Sequence, residues 1–162
     1  MTGGAGLRVG QGLDVHPFSD DSTRPLVLGG VVIEGAPGLA GHSDADVLAH
    51  ALCDALLGAA GLGDLGRHFP DTDPRYAGAD SMRLLAGVVD KVSAAGLVAL
   101  HADCTVVAER PRLGPALSKM AERLSAVVGA PVSVKATRAE GLGALGRAEG
   151  IACLAVVLLD AR

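Results

Sequence analysis

The sequence predicts one α+β domain, with a mixed, mostly four-stranded sheet, helices packed on one face and a small N-terminal hairpin. The length of 162 residues suits a single domain. Apolar residues recur at helical spacing in several segments, and short runs rich in Val, Ile and Ala lie before and between them. We therefore expect residues 1–162 to form one domain, with residues 1–6 as a flexible tail.

The first elements are predicted from turn and cap residues. A strand is expected over residues 7–15, and two short β-type runs over 26–33 form the hairpin. Gly29 and Gly30 join these runs, because a two-residue hairpin turn needs positive φ. Ser43 followed by Asp46 resembles a capping box, so the first helix is expected to begin there and to end near Ala60.

The later elements alternate between helices and strands. A second helix is predicted over residues 81–95 with Gly96 as its C-cap, and a third begins after Pro115 and ends at Gly129. Strands are predicted over 104–108, 132–136 and 151–159. The strand, helix, strand order over 104–136 implies a parallel pair, and the sheet face without helices is free to meet another subunit.

Composition excludes several classes of protein. A net charge of −4 and only three aromatic residues provide neither a basic groove nor stacking surfaces, so no nucleic-acid partner is expected. The start of the chain lacks a cationic segment followed by an apolar stretch, and the apolar run 151–159 is half a membrane span. Cys53, Cys104 and Cys153 lie far apart in apolar runs and are expected to be buried and reduced. We expect a cytoplasmic protein with no membrane partner.

A metal site is predicted from three residues. Asp14 and His16 end the first strand on the same face, because side chains alternate along a strand. His50 lies in the first helix between apolar neighbours. Two histidines and one carboxylate form a zinc set that leaves the fourth position for substrate, which is a catalytic pattern. The alternative interpretation is an exposed strand end and a solvated helix stripe of Asp46, His50 and Asp54.

Further polar groups suggest phosphate chemistry. His42 precedes Ser43 and is expected at the helix N-terminus, where backbone amides favour an anion; an exposed neutral histidine is the alternative. In the run 69–74 ordinary turn chemistry accounts for Asp73. The run 141–146 matches G-x-G-x-x-G, but a β-type run rather than a helix follows, so a dinucleotide site is rejected. The charged residues around it suit phosphate oxygens, and Glu140 suits magnesium.

These motifs together resemble the 2-C-methyl-D-erythritol 2,4-cyclodiphosphate synthase family over nearly the whole chain. The matching runs are Asp14-Val-His16, His42-Ser-Asp-Ala-Asp-Val-Leu-Ala-His50, Gly63-Asp-Leu-Gly66, Phe69-Pro-Asp-Thr-Asp-Pro74 and Lys135-Ala-Thr137. The resemblance implies a phosphorus–oxygen lyase of the non-mevalonate isoprenoid pathway. Such an enzyme converts 4-diphosphocytidyl-2-C-methyl-D-erythritol 2-phosphate into the 2,4-cyclodiphosphate and CMP. It also implies a homotrimer assembled through the sheets, with each active site between adjacent subunits.

The resemblance assigns cofactors and residues as well. It implies one Zn²⁺ per active site on Asp14, His16 and His50, and Mg²⁺ or Mn²⁺ on Glu140 with the substrate diphosphate. His42 falls on a phosphate-contacting, transition-state-stabilising histidine. The other implied substrate contacts are Val15 and Ser43 near the metal; Asp64, Leu65, Gly66, Phe69, Pro70, Asp71, Thr72 and Asp73 around methylerythritol; Ala108, Glu109, Arg110, Pro111, Arg112, Leu113, Gly114, Thr137, Arg138 and Ala139 along cytidine diphosphate; and Ala144 and Arg147 in the glycine-rich loop.

Three positions depart from the family pattern. The chain has Arg138 where a second threonine is usual, Ala144 where phenylalanine is usual, and Arg112 where lysine is usual. We predict that Arg138 is catalytic and donates to the diphosphate in place of a threonine hydroxyl; the alternative is that it faces solvent or pairs with Glu140. Two other functions stay open, namely a zinc-dependent phosphoesterase and a trimeric metal-dependent binding module without turnover.

Overall fold

The computed structural model describes residues 6–162, so residues 1–5 of the predicted tail lie outside the described residues. The strands are β1 (Arg8–Pro17), β2 (Pro25–Leu28), β3 (Val31–Pro37), β4 (Leu97–Val107), β5 (Val132–Thr137) and β6 (Gly150–Ala161). The helices are α1 (Val47–Ala60), α2 (Leu65–His68), α3 (Ser81–Ala94), α4 (Leu117–Val128) and α5 (Gly143–Gly146), with 3₁₀ turns at Pro74–Tyr76 and Gly114–Ala116.

Four strands form one mixed sheet in the order β1-β6-β4-β5. β4 and β5 are parallel, whereas β6 is antiparallel to both β1 and β4. The α+β class, the mixed sheet and the parallel pair are therefore confirmed. β2 and β3 form a separate two-stranded sheet, and the turn glycines Gly29 and Gly30 both have positive φ.

Two predicted boundaries are wrong for physical reasons. β4 begins at Leu97 instead of Cys104, because residues 97–103 extend the ladder with the C-terminal half of β6. α3 ends one residue early: Ala95 is its C-cap, and Gly96 follows it with a φ of 77°. Gly129 caps α4 in the left-handed conformation, as predicted.

The start of α1 also differs from the predicted capping box. Asp46 is the N-cap, and its Oδ1 accepts hydrogen bonds from the amides of Leu48 and Ala49 at 3.1 and 3.2 Å. The same carboxylate accepts from the amides of Gly29 and Gly30, each at 2.8 Å. Asp46 is fully buried, so it ties the hairpin turn to the helix start while satisfying four amides.

Helix α1 packs directly on β1 because two strand residues lack a side chain. A Cβ added to Gly12 would lie 1.8 Å from the Ala51 carbonyl oxygen, and one added to Gly10 would lie 1.9 Å from that of Ala55. No heavy atom fits at such distances, so only glycine permits this approach. His50, next to Ala51, is thereby held over the end of β1.

The other face of the sheet carries no helix in the described part of the chain. Val9, Leu13 and Val15 of β1 and Leu154 and Val156 of β6 are exposed on it. An apolar surface of this kind is typical of a protein interface. All three cysteines are buried free thiols, as predicted: Cys104 and Cys153 lie on the sheet and Cys53 lies on α1.

Among the helices of residues 6–162, none combines the length and apolar character that a membrane span requires.

We predict that Gly12→Ala lowers the free energy of unfolding by about 1–3 kcal/mol, because the new methyl group forces α1 away from β1. Urea unfolding measures this. Gly58→Ala is the matched control, because Gly58 lies on α1 with its nearest contact at 4.0 Å. Alanine is favoured in a helix, so the control keeps or gains stability. A Gly12→Ala protein as stable as the wild type contradicts the close packing.

Candidate active site

Three potential ligand atoms converge where β1 meets α1. Asp14 Oδ2 lies 3.1 Å from His16 Nε2 and 3.1 Å from His50 Nδ1. Asp14 and His16 point the same way from β1, and α1 supplies His50 because of its close approach to that strand. The three residues are the group in the described chain whose ligand atoms all lie within 4.8 Å of one another. The predicted metal ligands are thus brought together.

The ring of His16 has a defined orientation. Its Nδ1 lies 2.7 Å from the carbonyl oxygen of Ala40, which can only accept a hydrogen bond, so Nδ1 carries the proton. The lone pair on Nε2 then faces the carboxylate of Asp14. Two acceptors 3.1 Å apart are favourable only with a proton or a cation between them. These residues therefore fit a bound metal ion.

The pKa shifts of Asp14 and His16 also favour a cation at this point. Burial alone would raise the pKa of Asp14, but the hydrogen bonds and positive charge of His16 and His50 hold that pKa below its ordinary value. The hydrogen bond to Asp14 in turn raises the pKa of His16. Asp14 is thus ionised at neutral pH and attracts positive charge to this point.

The interpretation of Asp46, His50 and Asp54 as a solvated helix stripe is wrong. Asp46 is fully buried at the helix cap, and the side chain of His50 is only 10% exposed. Asp54 accepts the amide of Leu65 at 2.7 Å and so fixes the start of α2 beside the cavity.

A cavity of about 410 Å³ opens beside the three ligands. Its wall includes many of the predicted substrate residues: His16, His42, Ser43, His50, Leu65, Gly66, Phe69 and Asp71. Gly41, Tyr76 and Leu84 also line it, and nothing in their sequence context pointed to them. Tyr76 meets Phe69 edge-to-face at 5.2 Å between ring centroids, which shapes the apolar wall.

His42 is part of this cavity but not of a helix N-terminus. α1 begins at Val47 and Asp46 already caps its amides, so the predicted helix-end position is wrong. The imidazole is exposed, and its Nε2 lies 3.1 Å from the carbonyl oxygen of Asp73. Asp73 itself binds Arg75 and caps a 3₁₀ turn, in keeping with the turn interpretation.

Besides Val15, five predicted contacts of this region do not line the cavity: Asp14, Asp64, Pro70, Thr72 and Asp73. Asp14 contacts His16 and His50, which do line it, and the other four lie within two residues of a lining residue along the chain. Val15 faces the open side of the sheet, because it alternates with Asp14 and His16 along β1. Only the backbone atoms of Val15 can contact a substrate on the side of the sheet that carries Asp14 and His16.

A second cleft of about 460 Å³ lies at the C-terminal ends of β4 and β5, and we refer to it as the β4–β5 cleft. Its predicted lining residues are Ala108, Glu109, Pro111, Arg112, Leu113, Gly114, Thr137 and Arg138, with Pro115 and Ala136 in addition. Arg110 faces a neighbouring cavity beside Phe18 and Pro37. Ala139, Glu140, Ala144 and Arg147 do not line the cleft.

Arg138 and Arg147 each form an ion pair. Arg138 donates from Nε and Nη2 to Oε2 of Glu109 at 3.2 and 3.0 Å, and not to Glu140. Glu109 is almost buried, with 8% of its side chain exposed, and its Oε1 has no hydrogen-bond partner in the described chain. Arg147 pairs with Glu149 at 2.8 Å on the surface.

The two sites lie at opposite edges of one sheet. β1, β4 and β5 run in the same direction, so Asp14, His16 and the β4–β5 cleft lie at the same end of the sheet. β1 and β5 are three strand spacings apart, which is about 14 Å. The cavity and the cleft have no lining residue in common.

Comparisons with known proteins agree with one another. The YgbB family model matches residues 7–160. The 2-C-methyl-D-erythritol 2,4-cyclodiphosphate synthase of Bordetella petrii is 57% identical over 156 residues, covering 94% of this chain and 95% of that protein. A CDP-bound structure of a 2C-methyl-D-erythritol-2,4-cyclodiphosphate synthase has a TM-score of 0.85 and 39% identity, and covers 94% of this chain and all of that one. The bifunctional IspDF of Campylobacter jejuni has a TM-score of 0.92 and 43% identity, covering 97% of this chain and 43% of that one.

Proposed function

Because the chain belongs to the YgbB family of 2-C-methyl-D-erythritol 2,4-cyclodiphosphate synthases, we propose that it forms this cyclic diphosphate from the cytidylylated 2-phosphate. The enzyme serves isoprenoid precursor synthesis. The observation that carries the assignment of the site is the convergence of Asp14 Oδ2, His16 Nε2 and His50 Nδ1 beside the cavity. The cytoplasmic location stays a prediction.

The reaction is an intramolecular phosphoryl transfer. An oxygen of the 2-phosphate attacks the β-phosphorus, the bond from that phosphorus to the bridging oxygen breaks, and CMP leaves with the electron pair. The protein's main task is to hold the two reacting groups in line, because ring closure is limited by entropy. No covalent bond to the protein is required.

Different residues of the cavity would hold the metal, contact the phosphate and contact the carbon chain of the substrate. Asp14, His16 and His50 would hold Zn²⁺, which supplies Lewis-acid polarisation of the phosphate when bound. His42 lines the cavity and donates Nε2–H to the carbonyl oxygen of Asp73, which orients its ring where it would contact a phosphate oxygen. Phe69 and Tyr76 provide an apolar wall for the methylerythritol carbon chain.

The β4–β5 cleft would hold the cytidine diphosphate. Glu140 lies on the loop after β5, and with the substrate's phosphate oxygens it would bind Mg²⁺ or Mn²⁺, which usually take one or two carboxylates plus phosphates. Support for a cytidine ligand comes from relatives, one of which was solved as a CDP-bound form.

A substrate that spans both sites favours a homotrimer. The cavity lies at the β1 edge and the cleft at the β5 edge, so a head-to-tail ring would place one beside the other in adjacent copies. The exposed apolar face of β1 and β6 would supply the contact between sheets. Each active site would then form between two subunits.

The activity itself is tested by phosphorus NMR of the cytidylylated substrate incubated with protein, zinc and magnesium. We expect signals of a cyclic diphosphate and CMP to appear, and chelation of the metals to stop their formation. Release of inorganic phosphate would instead indicate a zinc-dependent phosphoesterase. Unchanged substrate that still binds the protein would indicate a binding module.

The trimer is tested by Val9→Asp with light scattering after size-exclusion chromatography. We expect a trimer mass for the wild type and dissociation of the variant, because the substitution buries an unpaired charge in the interface. Val32→Asp is the control, since Val32 is similarly exposed, at 50% compared with 69%, but lies on β3. A variant that stays trimeric would contradict the assignment of this sheet face.

Arg138→Ala is expected to lower kcat by about a hundredfold, the scale for loss of one transition-state donor. Glu109 holds the guanidinium at the wall of the β4–β5 cleft, within reach of a diphosphate bound there. Zinc content and trimer mass should not change. Wild-type kcat in this variant would show that Arg138 is a bystander, and Thr137→Ala would then identify the donor.

A further inference from the structure

The second ring nitrogen of His50 belongs to a buried polar network. His50 Nε2 lies 2.8 Å from Ser81 Oγ, and Ser81 is fully buried at the first turn of α3. The carboxylate of Asp44 accepts both the Ser81 amide, at 3.1 Å, and the Ser81 hydroxyl. None of these contacts involves the metal-facing atom of His50.

The positions of the protons follow from the acceptors. An ionised carboxylate only accepts, so the single hydroxyl proton of Ser81 is committed to Asp44. Ser81 Oγ can then only accept from the imidazole, which requires the His50 proton to sit on Nε2. In the neutral imidazole Nδ1 is then left with its lone pair, and this is the atom that faces Asp14 at 3.1 Å.

Ser43 cannot determine which ring nitrogen of His50 carries the proton. Its hydroxyl lies 3.2 Å from the same nitrogen of His50 and 3.5 Å from Ser81 Oγ, but it has no carboxylate partner that would fix the direction of its proton. It accepts the Ala45 amide at 3.2 Å and can still donate to His50 or accept from it. The direction of the hydrogen bond is therefore set by the Asp44–Ser81 pair.

We propose that Ser81 and Asp44 are positioning residues that hold His50 as the Nε2–H tautomer, with Nδ1 aimed at the metal position. This inference rests on the proposed metal site at Asp14, His16 and His50. It also explains why the loop before α1 is joined to α3: Asp44 donates its amide to Ala79 and accepts from Ser81. Metal-ligating histidines generally depend on a partner of this kind at the other nitrogen.

The arrangement mirrors that of His16. There the Ala40 carbonyl fixes the proton on Nδ1 and leaves Nε2 for the metal. The two histidines thus present opposite ring nitrogens to one point, each selected by an acceptor on the far side of its ring. For His16 that acceptor is backbone, whereas for His50 it is a side-chain pair that mutation can remove.

The test makes two measurements on the wild type and its variants. Competition with a chelator gives the zinc affinity, and ¹⁵N NMR of metal-free protein at about pH 9 gives the tautomer of His50. Ser81→Ala is expected to weaken zinc binding by about 10- to 100-fold and to abolish the preference of His50 for the Nε2–H tautomer. The midpoint of urea unfolding shows whether the variant is still folded. Asp44→Asn keeps the size of the side chain and should shift both readouts in the same direction.

Ser43→Ala is the matched control, because it removes the other buried hydroxyl beside the same nitrogen. We expect its zinc affinity to stay within about threefold of the wild type. Wild-type tautomer and affinity in folded Ser81→Ala and Asp44→Asn would overturn the inference. A wild-type protein that binds no zinc would overturn the metal assignment instead, while the tautomer in metal-free protein would still decide the role of Ser81.

Discussion

The close contact between helix α1 and strand β1 is the constraint on which the rest of the structure depends. Gly10 and Gly12 let the helix backbone touch the strand, and an added methyl group at either position would fall within 2 Å of a helix carbonyl oxygen. The separation between the backbones of α1 and β1 sets how far His50 lies from Asp14 and His16. Asp46 fixes the other end of the arrangement, because it caps α1 and binds the hairpin turn in one buried carboxylate. The site is therefore built on rigid elements, as a precise set of ligands requires.

Without a cation, the side chains of Asp14, His16 and His50 face one another in an electrostatically unfavourable arrangement. The ligand atoms of Asp14, His16 and His50 lie within 4.8 Å of one another. In the neutral imidazoles, the acceptor behind each ring leaves a lone pair on the nitrogen that faces Asp14. Such an arrangement is unfavourable until a cation joins it, so binding of an ion there would contribute to stability as well as to the proposed chemistry. The sheet adds a second constraint. Its order places the metal site and the β4–β5 cleft at opposite edges, which favours completing each active site with a neighbouring copy.

The sequence predicts the fold class and the group of potential metal ligands because both depend on local patterns. Alternation along β1 puts Asp14 beside His16, helical spacing identifies α1, and Gly29-Gly30 and Gly129 mark turns and ends. The errors arise where long-range contacts decide. Residues 97–103 become strand because β6 is long enough to pair with them, and Asp46 replaces Ser43 as the cap because it also serves a hairpin turn far along the chain. The cavity walls from Tyr76 and Leu84, and the Asp44–Ser81 pair, need the packing of α3 on α1, which no local pattern specifies.

The metal site is tested by anomalous diffraction at the zinc absorption edge from crystals grown with zinc. We expect one peak per subunit at about 2.0–2.2 Å from Asp14 Oδ2, His16 Nε2 and His50 Nδ1, with a fourth position open toward the cavity. A peak elsewhere, or coordination through His50 Nε2, would contradict the claim that the contact between α1 and β1 builds the metal site.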